Sequence, residues 1–285
     1  MVKIINTKDL IAYLGPVGTF SEQAVNKYIE KFNKPLTPQA YNSIYEVIQA
    51  VAEEQVKEGV VPIENSVEGS VSTTLDMLAD KDIKVRIIHE IDIEVKHNLI
   101  VKPGTKKQQI DTIYSHPQSL AQCQKYLRAN FPKAKIFSAD SNARAVVLAK
   151  DNSGNNVAAI GPRSAAEQWG MEILEQDIQD FENNQTRFVV ISRHPIRRTV
   201  KNKTSIVFST RKDKPGALYE ILGHFLRNNI NLSKIESRPR KQMIGDYLFF
   251  IDLEGSDDDE KIEKVLKEIG SICSYFKKLG SYTNQ

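Results

Sequence analysis

Strand and helix signals that alternate along 285 residues predict an α/β protein in two parts. Three observations carry this expectation. Up to residue 192, short apolar runs alternate with segments whose apolar residues recur at helical spacing. The segment Ser192–Lys203, SRHPIRRTVKNK, then breaks the pattern with one Pro, six basic residues and no apolar periodicity, as a solvated linker does. Beyond it the signals run strand, helix, strand, strand, helix, strand, the βαββαβ order of a ferredoxin-like module. The expected division is 1–192, a linker 193–203, and 204–285.

In the first part, Ile11–Leu14 reads as a buried strand, and Phe20, Ala24, Val25, Tyr28, Ile29 and Phe32 follow at helical spacing. Val60–Ile63 is a strand, followed by a polar stretch and a helix to about Asp80. Val85–Ile100 is strand-rich, Thr112–Tyr114 is a short strand, and a helix runs from about Pro117 to Arg128. The strand Val157–Ile160 leads to a helix that ends at Trp169, closed by Gly170, which suits the left-handed position past a helix end. Phe188–Ile191 is the last strand, and the sheets are expected to be largely parallel. In the second part, Ser205–Thr210 is a strand and Pro215-Gly216 opens a helix to about Asn228. The strand Ile230–Ser237, a turn from Arg238-Pro239 to Gly245 and the strand Asp246–Leu253 come next. Ser256, Asp257 or Asp258 caps a helix to about Ile269, and Ser271–Lys278 is the final strand.

Composition excludes several classes. With 40% hydrophobic and 26% charged residues the chain is neither disordered nor low in complexity. A net charge of +3 and the absence of aromatic residues from the basic linker give no reason to expect nucleic acid. No apolar run is long enough to span a membrane, and the N-terminal residues do not read as a secretory signal, so a cytoplasmic protein is expected. Cys123 and Cys273 stand far apart without metal-ligand company and read as reduced, partly buried thiols. Neither a metal nor a cofactor is expected.

One device recurs four times in the first part: a short apolar strand runs into a polar turn rich in Gly, Pro or Ser, and the turn opens a helix. The turns are Gly15–Glu22, Glu64–Ser70, Ser115–Ser119 and Gly161–Ser164. Thr19 with Glu22 and Ser115 with Gln118 fit the capping-box spacing. Backbone N–H groups at helix starts attract carboxylate or phosphate, and in a parallel sheet such turns gather at the carboxyl ends of the strands, where ligands bind. Neither GxxxxGK[ST] nor GxGxxG is present, so a polyanionic small molecule fits better than a nucleotide. Asn183–Phe188, NNQTRF, then sets Thr186 beside Arg187 at a strand start; a guanidinium fork is a strong carboxylate clamp, and a hydroxyl can serve a leaving oxygen.

These segments together resemble the prephenate dehydratase family with a C-terminal ACT regulatory domain. The match is carried by Gly15–Glu22, Pro62–Gly69, Ser115–Cys123 and Thr186–Phe188, and in the second part by Gly216–Tyr219 and Ile235–Pro239. Ser141–Ala145, SNARA, departs from the family's more usual Ser-Thr-Ala followed by an acidic residue. Ten residues precede Ile11, too few for an N-terminal chorismate mutase domain, so the resemblance is to the monofunctional type.

The resemblance implies a two-lobed catalytic domain like periplasmic binding proteins, with lobe one about 1–83 and 180–192 and lobe two about 84–179. It implies the conversion of prephenate to phenylpyruvate, water and CO2 in phenylalanine biosynthesis, without a cofactor. Thr186 is expected at the leaving hydroxyl, with His116 and Glu64 as further acid candidates. Arg187 is expected to clamp a carboxylate, with Arg163 as its substitute. Gly18, Thr19, Asn65, Ser66, Ser115 and Gln118 are expected as donors, and Phe188 with Phe181 as an apolar wall. Gly216, Ala217, Leu218, Asn231, Glu236, Ser237 and Arg238 are expected to hold phenylalanine, a feedback inhibitor, between chains of a homodimer or homotetramer. Arogenate dehydratase and a non-catalytic sensor fused to an ACT module are the competing readings.

Overall fold

Lobe one is built first along the chain, in a computed structural model that describes residues 9–195, 202–211, 215–240 and 247–283. It comprises β1 (Leu10–Leu14), α1 (Phe20–Lys31), β2 (Thr37–Tyr41), α2 (Ile44–Ala52), β3 (Glu58–Asn65), β4 (Gly69–Ser70), α3 (Ser72–Ala79) and β5 (Arg86–Glu94). Lobe two comprises β6 (Asn98–Val101), a 3-10 turn at Lys107–Gln109, β7 (Thr112–Ser115), α4 (Pro117–Gln122), α5 (Gln124–Asn130), β8 (Lys135–Ser138), α6 (Asn142–Asp151), β9 (Val157–Gly161), α7 (Arg163–Trp169) and β10 (Glu172–Glu175). The chain then returns through β11 (Gln185–Ser192). The C-terminal part is β12 (Lys203–Thr210), α8 (Ala217–Arg227), β13 (Leu232–Pro239), β14 (Tyr247–Glu254), α9 (Glu260–Ile272) and β15 (Cys273–Tyr282). The middle of the expected linker and most of the turn to Gly245 lie outside the described residues.

The first sheet has the order β2-β1-β3-β11-β5 with β4 on β3, and the second β10-β6-β9-β7-β8. Both are mixed rather than largely parallel. β1 runs parallel to β2 and β3, and β7 to β8 and β9, while β11 runs antiparallel to β3 and β5, and β6 to β9 and β10. The antiparallel members are the strands that enter from or return to the other lobe. One of them corrects the expected lobe boundary: β5, placed by residue count in lobe two, pairs along its length with β11 in the first sheet. The crossings between lobes therefore fall near residues 95–97 and 176–184.

α1 and α6 start where the capping residues direct, whereas α9 is capped by Asp259 and not by the expected Ser256, Asp257 or Asp258. Thr19 Oγ1 accepts from Glu22 N at 3.3 Å, and Ser141 Oγ from Arg144 N at 3.0 Å. Gly170 closes α7 at φ 63°, a left-handed position that glycine adopts without steric cost. The expected box at Ser115–Gln118 does not form. His116 is the N-cap residue of α4 instead, its Nδ1 accepting from Gln118 N at 3.4 Å, because Ser115 ends β7 and spends its hydroxyl on Ile160 O at 2.8 Å.

The C-terminal sheet, β13-β14-β12-β15, is antiparallel throughout. α8 and α9 cover one face around Ile206, Phe208, Phe225, Ile251 and Ile269. From the other face Val207, Phe250, Leu279 and Tyr282 join Ile87, Val189 and Ile191 in one core. The C-terminal domain therefore packs on the back of the sheet that carries β11.

Candidate active site

The four predicted turns follow β1, β3, β7 and β9, the strands that run parallel within their sheets. The second differs from expectation: it closes the β3–β4 hairpin, and α3 begins only at Ser72. Across the cleft the turns meet in pairs. Ser164 Oγ donates to Gly18 O at 3.2 Å and accepts from Gln23 Nε2 at 2.9 Å, joining the first turn to the fourth. Gln122 Nε2 donates to Glu68 Oε1 at 3.3 Å, joining the second to the helix after the third.

A cavity of about 610 Å³ opens between the lobes, lined among others by Thr19, Phe20, Tyr41, His116, Gln118 and Asn142. The first residues of α1 and of α6 face it, so two helix dipoles present their positive ends there. Gly18 N–H is not available to a ligand, because Glu22 Oε2 takes it at 2.6 Å; this is the second half of the capping box, displaced by one residue. Thr19 is likewise occupied, donating to Leu14 O at 3.3 Å. Ser115 is buried and holds the base of the site, with Asn142 Oδ1 accepting from Ser119 Oγ and His116 N at 2.9 and 3.3 Å and lying 3.1 Å from Ser115 Oγ. Gln118 is exposed on the cavity wall. Burial lowers the His116 imidazole below its usual range, against Glu68 and Asp140, whose charges raise it.

Thr186 pairs with Asn65 across β11 and β3. Asn65 Oδ1 accepts from Val67 N at 2.9 Å and Glu68 N at 3.0 Å, which fixes the amide. Its Nδ2 then donates to Thr186 Oγ1 at 2.8 Å and to Asn184 Oδ1 at 2.8 Å. Asn184 Nδ2 donates to Gln122 Oε1 at 2.9 Å, and His97 Nε2 lies 2.9 Å from the same oxygen. A chain of amides thus runs from Thr186 through the crossing segments into lobe two. Ser66 fastens the turn to the return segment, accepting from Gln185 N at 2.9 Å and donating to Asn183 O at 3.2 Å.

Three expected site residues are placed elsewhere. Successive residues on a strand point to opposite faces, so Thr186 and Arg187 cannot share the cleft. Arg187 turns to the back of the sheet, where its Nη1 lies 2.7 Å from Asp252 Oδ2 and 3.3 Å from Glu90 Oε2, and its Nη2 3.4 Å from Glu64 Oε2. Glu64 faces the same way, 3.0 Å from Lys234 Nζ, and is not poised beside Thr186. Phe188, 2% exposed, packs under β11 against Tyr13, Tyr28 and Ile91, while Phe181 is exposed. The apolar wall of the cavity comes instead from Phe20, edge-on to His97 with ring centroids 5.8 Å apart. Arg163 bonds Gln176 at 2.9 Å beside a second cavity.

In the C-terminal domain, Gly216 is the N-cap of α8 at φ 86°, and among the described residues beyond its chain neighbours no atom lies within 4 Å of where a Cβ would stand. Ala217 and Leu218 follow in the first turn, Ser237 is exposed, and Asn231 Nδ2 bonds Glu254 Oε1 at 2.8 Å. Glu236 and Arg238, expected to face the ligand from a neighbouring chain, are bonded to lobe one within this chain. On β13 they alternate toward lobe one, Glu236 accepting from Ser70 and Arg238 reaching Asp76 Oδ1 at 3.2 Å and Ser72 Oγ at 3.0 Å.

Sequence reasoning missed Gln122, Asn142 and Asn184. Asn142 follows the N-cap Ser141, a visible signal; Gln122 and Asn184 lie 62 residues apart and carried none. Among the described residues, no helix is long and apolar enough to cross a membrane.

A cleft between two mixed-sheet lobes, closed by polar turns and backed by a ferredoxin-like module, defines a two-lobed α/β protein with a C-terminal βαββαβ domain. Residues 11–196 match the prephenate dehydratase family model and residues 204–271 the ACT domain model, and the chain belongs to the prephenate dehydratase family. It is 41% identical over 280 residues to the prephenate dehydratase of Methanocaldococcus jannaschii, covering 95% of this chain and 97% of that one. It is 39% identical over 278 residues to the bifunctional chorismate mutase/prephenate dehydratase of Aquifex aeolicus, covering 98% of this chain and 74% of that one. Among solved structures, the Arthrobacter aurescens prephenate dehydratase in complex with L-Phe superposes with a TM-score of 0.86 at 34% identity, covering 96% of this chain and 90% of that one.

Proposed function

We propose that this chain converts prephenate to phenylpyruvate, with the Thr186 hydroxyl as hydrogen-bond donor to the departing oxygen. The observation that carries the assignment is the 2.8 Å bond from Asn65 Nδ2 to Thr186 Oγ1. Asn65 is the donor, so the hydroxyl keeps its own proton to give outward. The prephenate dianion plus one proton yields the phenylpyruvate anion, CO2 and water. The carbon–carbon bond to the ring carboxylate breaks, its electron pair enters the ring, and the ring carbon–oxygen bond breaks as the ring becomes aromatic. A donor that meets the developing hydroxide favours the transition state over the ground state. His116, lowered by burial, is a poorer source of the proton at neutral pH. The positive ends of α1 and α6 suit a dianion held in the cleft.

We also propose that phenylalanine regulates the enzyme from the regulatory domain, where Gly216 leaves room for close backbone approach at the start of α8. The Arthrobacter relative, solved with L-Phe, supports this reading. Tyr219 and Leu226 of α8, 77% and 78% exposed, and Ile235 on the edge strand β13, 50% exposed, suit an interface with a second copy, so the assembly is a homodimer or a homotetramer. The reduced, buried Cys123 and Cys273 suit the cytoplasm.

The test is ultraviolet detection of phenylpyruvate from prephenate, with arogenate alongside. Prephenate is expected to be the better substrate, and Thr186→Ala to lower kcat about 10²-fold or more with little change in KM. Thr186→Ser is expected to retain part of the activity. An alanine variant that keeps more than about half of the wild-type kcat refutes the role of Thr186.

A further inference from the structure

The residue next to Thr186 is the one the cleft does not use. Arg187 stands on the far face of β11, only 15% exposed, and its three carboxylate partners are each held a second time by the regulatory domain. Asp252 of β14 accepts from Ser205 Oγ at 2.5 Å, and Ser205 Oγ lies 2.7 Å from Tyr282 Oη. Glu90 of β5 is gripped by Lys203 Nζ of β12 at 2.9 Å on both oxygens. Glu64 of β3 lies 3.0 Å from Lys234 Nζ of β13. Three cations and three anions therefore form one largely buried cluster between the catalytic and regulatory sheets, with the guanidinium in its middle.

Such clusters add little net stability, because desolvation offsets most of the attraction, but they fix geometry. A planar fork held by carboxylates from three strands fixes both the position and the orientation of the residue that bears it. Adjacent α-carbons are 3.8 Å apart, so what holds Arg187 also holds Thr186. The pairing of β11 with β3 shifts register between Arg187 and Phe188, so the strand end carrying Thr186 and Arg187 lies beyond an irregularity in the ladder. On the β3 side the side-chain anchors therefore carry more of the positioning, while the ladder to β5 runs in register from Gln185 to Val190.

We propose that Arg187 is a positioning residue through which the regulatory domain sets the placement of the Thr186 hydroxyl, the joint being the pair Arg187–Asp252. This rests on the reading of Thr186 and of phenylalanine control given above. An effector that alters how the regulatory sheet sits on the catalytic sheet moves Asp252, Lys203 and Lys234 relative to β11. The guanidinium follows its partners, and the hydroxyl one residue away leaves its productive place. Substrate is held chiefly at the starts of α1 and α6, away from Arg187, so the effect falls on kcat and not on KM.

The experiment uses the full chain as wild type, Asp252→Asn and Arg187→Lys. Asparagine keeps the volume of Asp252 and can still accept from Ser205 but removes its charge; lysine keeps charge and loses the fork. Each protein is assayed for kcat and KM with prephenate and titrated with L-phenylalanine, and each is checked for folding by thermal unfolding. Both variants are expected to lose kcat by at least about tenfold with KM within about twofold. Asp252→Asn is further expected to raise the half-inhibiting phenylalanine concentration at least about fivefold. Should a variant fail to fold, Ser205→Ala, which removes one brace of Asp252 and leaves the ion pair, is expected to weaken inhibition in the same direction. Folded variants with lowered melting temperature but wild-type kcat and unchanged inhibition overturn the proposal, since the cluster is then only a fastening between domains. A wild type that does not turn over prephenate, or is not inhibited by phenylalanine, overturns the underlying reading and this proposal with it.

Discussion

Replacing Asn65 by aspartate is the most incisive perturbation of the candidate site, because it changes hydrogen-bond polarity at nearly constant volume. The two bonds from Val67 N and Glu68 N to Oδ1, at 2.9 and 3.0 Å, survive. The three bonds that Nδ2 donates, to Asn184 Oδ1, Thr186 Oγ1 and Gln185 O at 2.8, 2.8 and 3.2 Å, are lost. A carboxylate oxygen and a hydroxyl oxygen stay at about 2.8 Å only with a proton between them, so the Thr186 hydroxyl turns its proton inward to the new carboxylate. Asn184 cannot adapt by flipping its amide, because its Nδ2 is committed to Gln122 Oε1 at 2.9 Å. Leaving such partners unsatisfied costs about 1–3 kcal/mol of stability. Withdrawing the catalytic donor is expected to lower kcat by about 10²–10³-fold. The assay is phenylpyruvate formation by Asn65→Asp, Thr186→Ala and the double variant, with thermal unfolding to establish that each is folded. If Asn65 acts by orienting Thr186, the double variant is about as slow as the slower single one. A folded Asn65→Asp that keeps more than about a third of wild-type kcat, or losses that multiply in the double variant, refutes the polarity argument.

Two further outcomes follow from the packing and from a buried imidazole. A Cβ at Gly280 would stand 2.1 Å from Ile87 O and 2.9 Å from Ile87 N, backbone atoms that cannot swing aside, so Gly280→Ala is expected to cost about 1–3 kcal/mol and lower the urea midpoint; an unchanged midpoint refutes the close contact between β15 and β5. Burial holds His97 below its ordinary 6.5, opposed by its bond to Gln122, so the unfolded chain takes up this proton first as pH falls. The contribution of His97 is complete above pH 6.5 and is lost below it as pH falls through the folded-state value, so wild type is expected to lose melting temperature relative to His97→Gln between pH 7.5 and 5; parallel curves refute it.

The strands and helices that could be read from the sequence are those with one buried face. α1 announces itself through Phe20, Ala24, Val25 and Tyr28 and a Thr19 cap, and the regulatory module through the order of its elements. β2 and β8 left no alternation to read, since their residues are almost all exposed on both faces of an edge strand. α2 was legible and overlooked: Ser43 Oγ accepts from Glu46 N at 3.1 Å, and Asn42 N donates to Glu46 Oε2 at 3.0 Å.

By itself the sequence determined the two-part organisation, the polar turns after β1, β3, β7 and β9, and the family. It also required Thr186 and Arg187 to point apart, because side chains alternate along any strand. Which face Arg187 takes was decided only by the tertiary structure, which set Glu64 of β3 and Glu90 of β5 beside it and stacked the C-terminal sheet with Asp252 on the back of β11. The same holds for β5, whose place in the first sheet depends on pairing with a strand about 100 residues later, and for Asn184 and Gln122, joined at 2.9 Å across the two lobes. Local propensity and capping act over a few residues and are written in the chain. Pairing across a sheet and docking of one domain on another depend on surfaces that exist only once distant segments have packed.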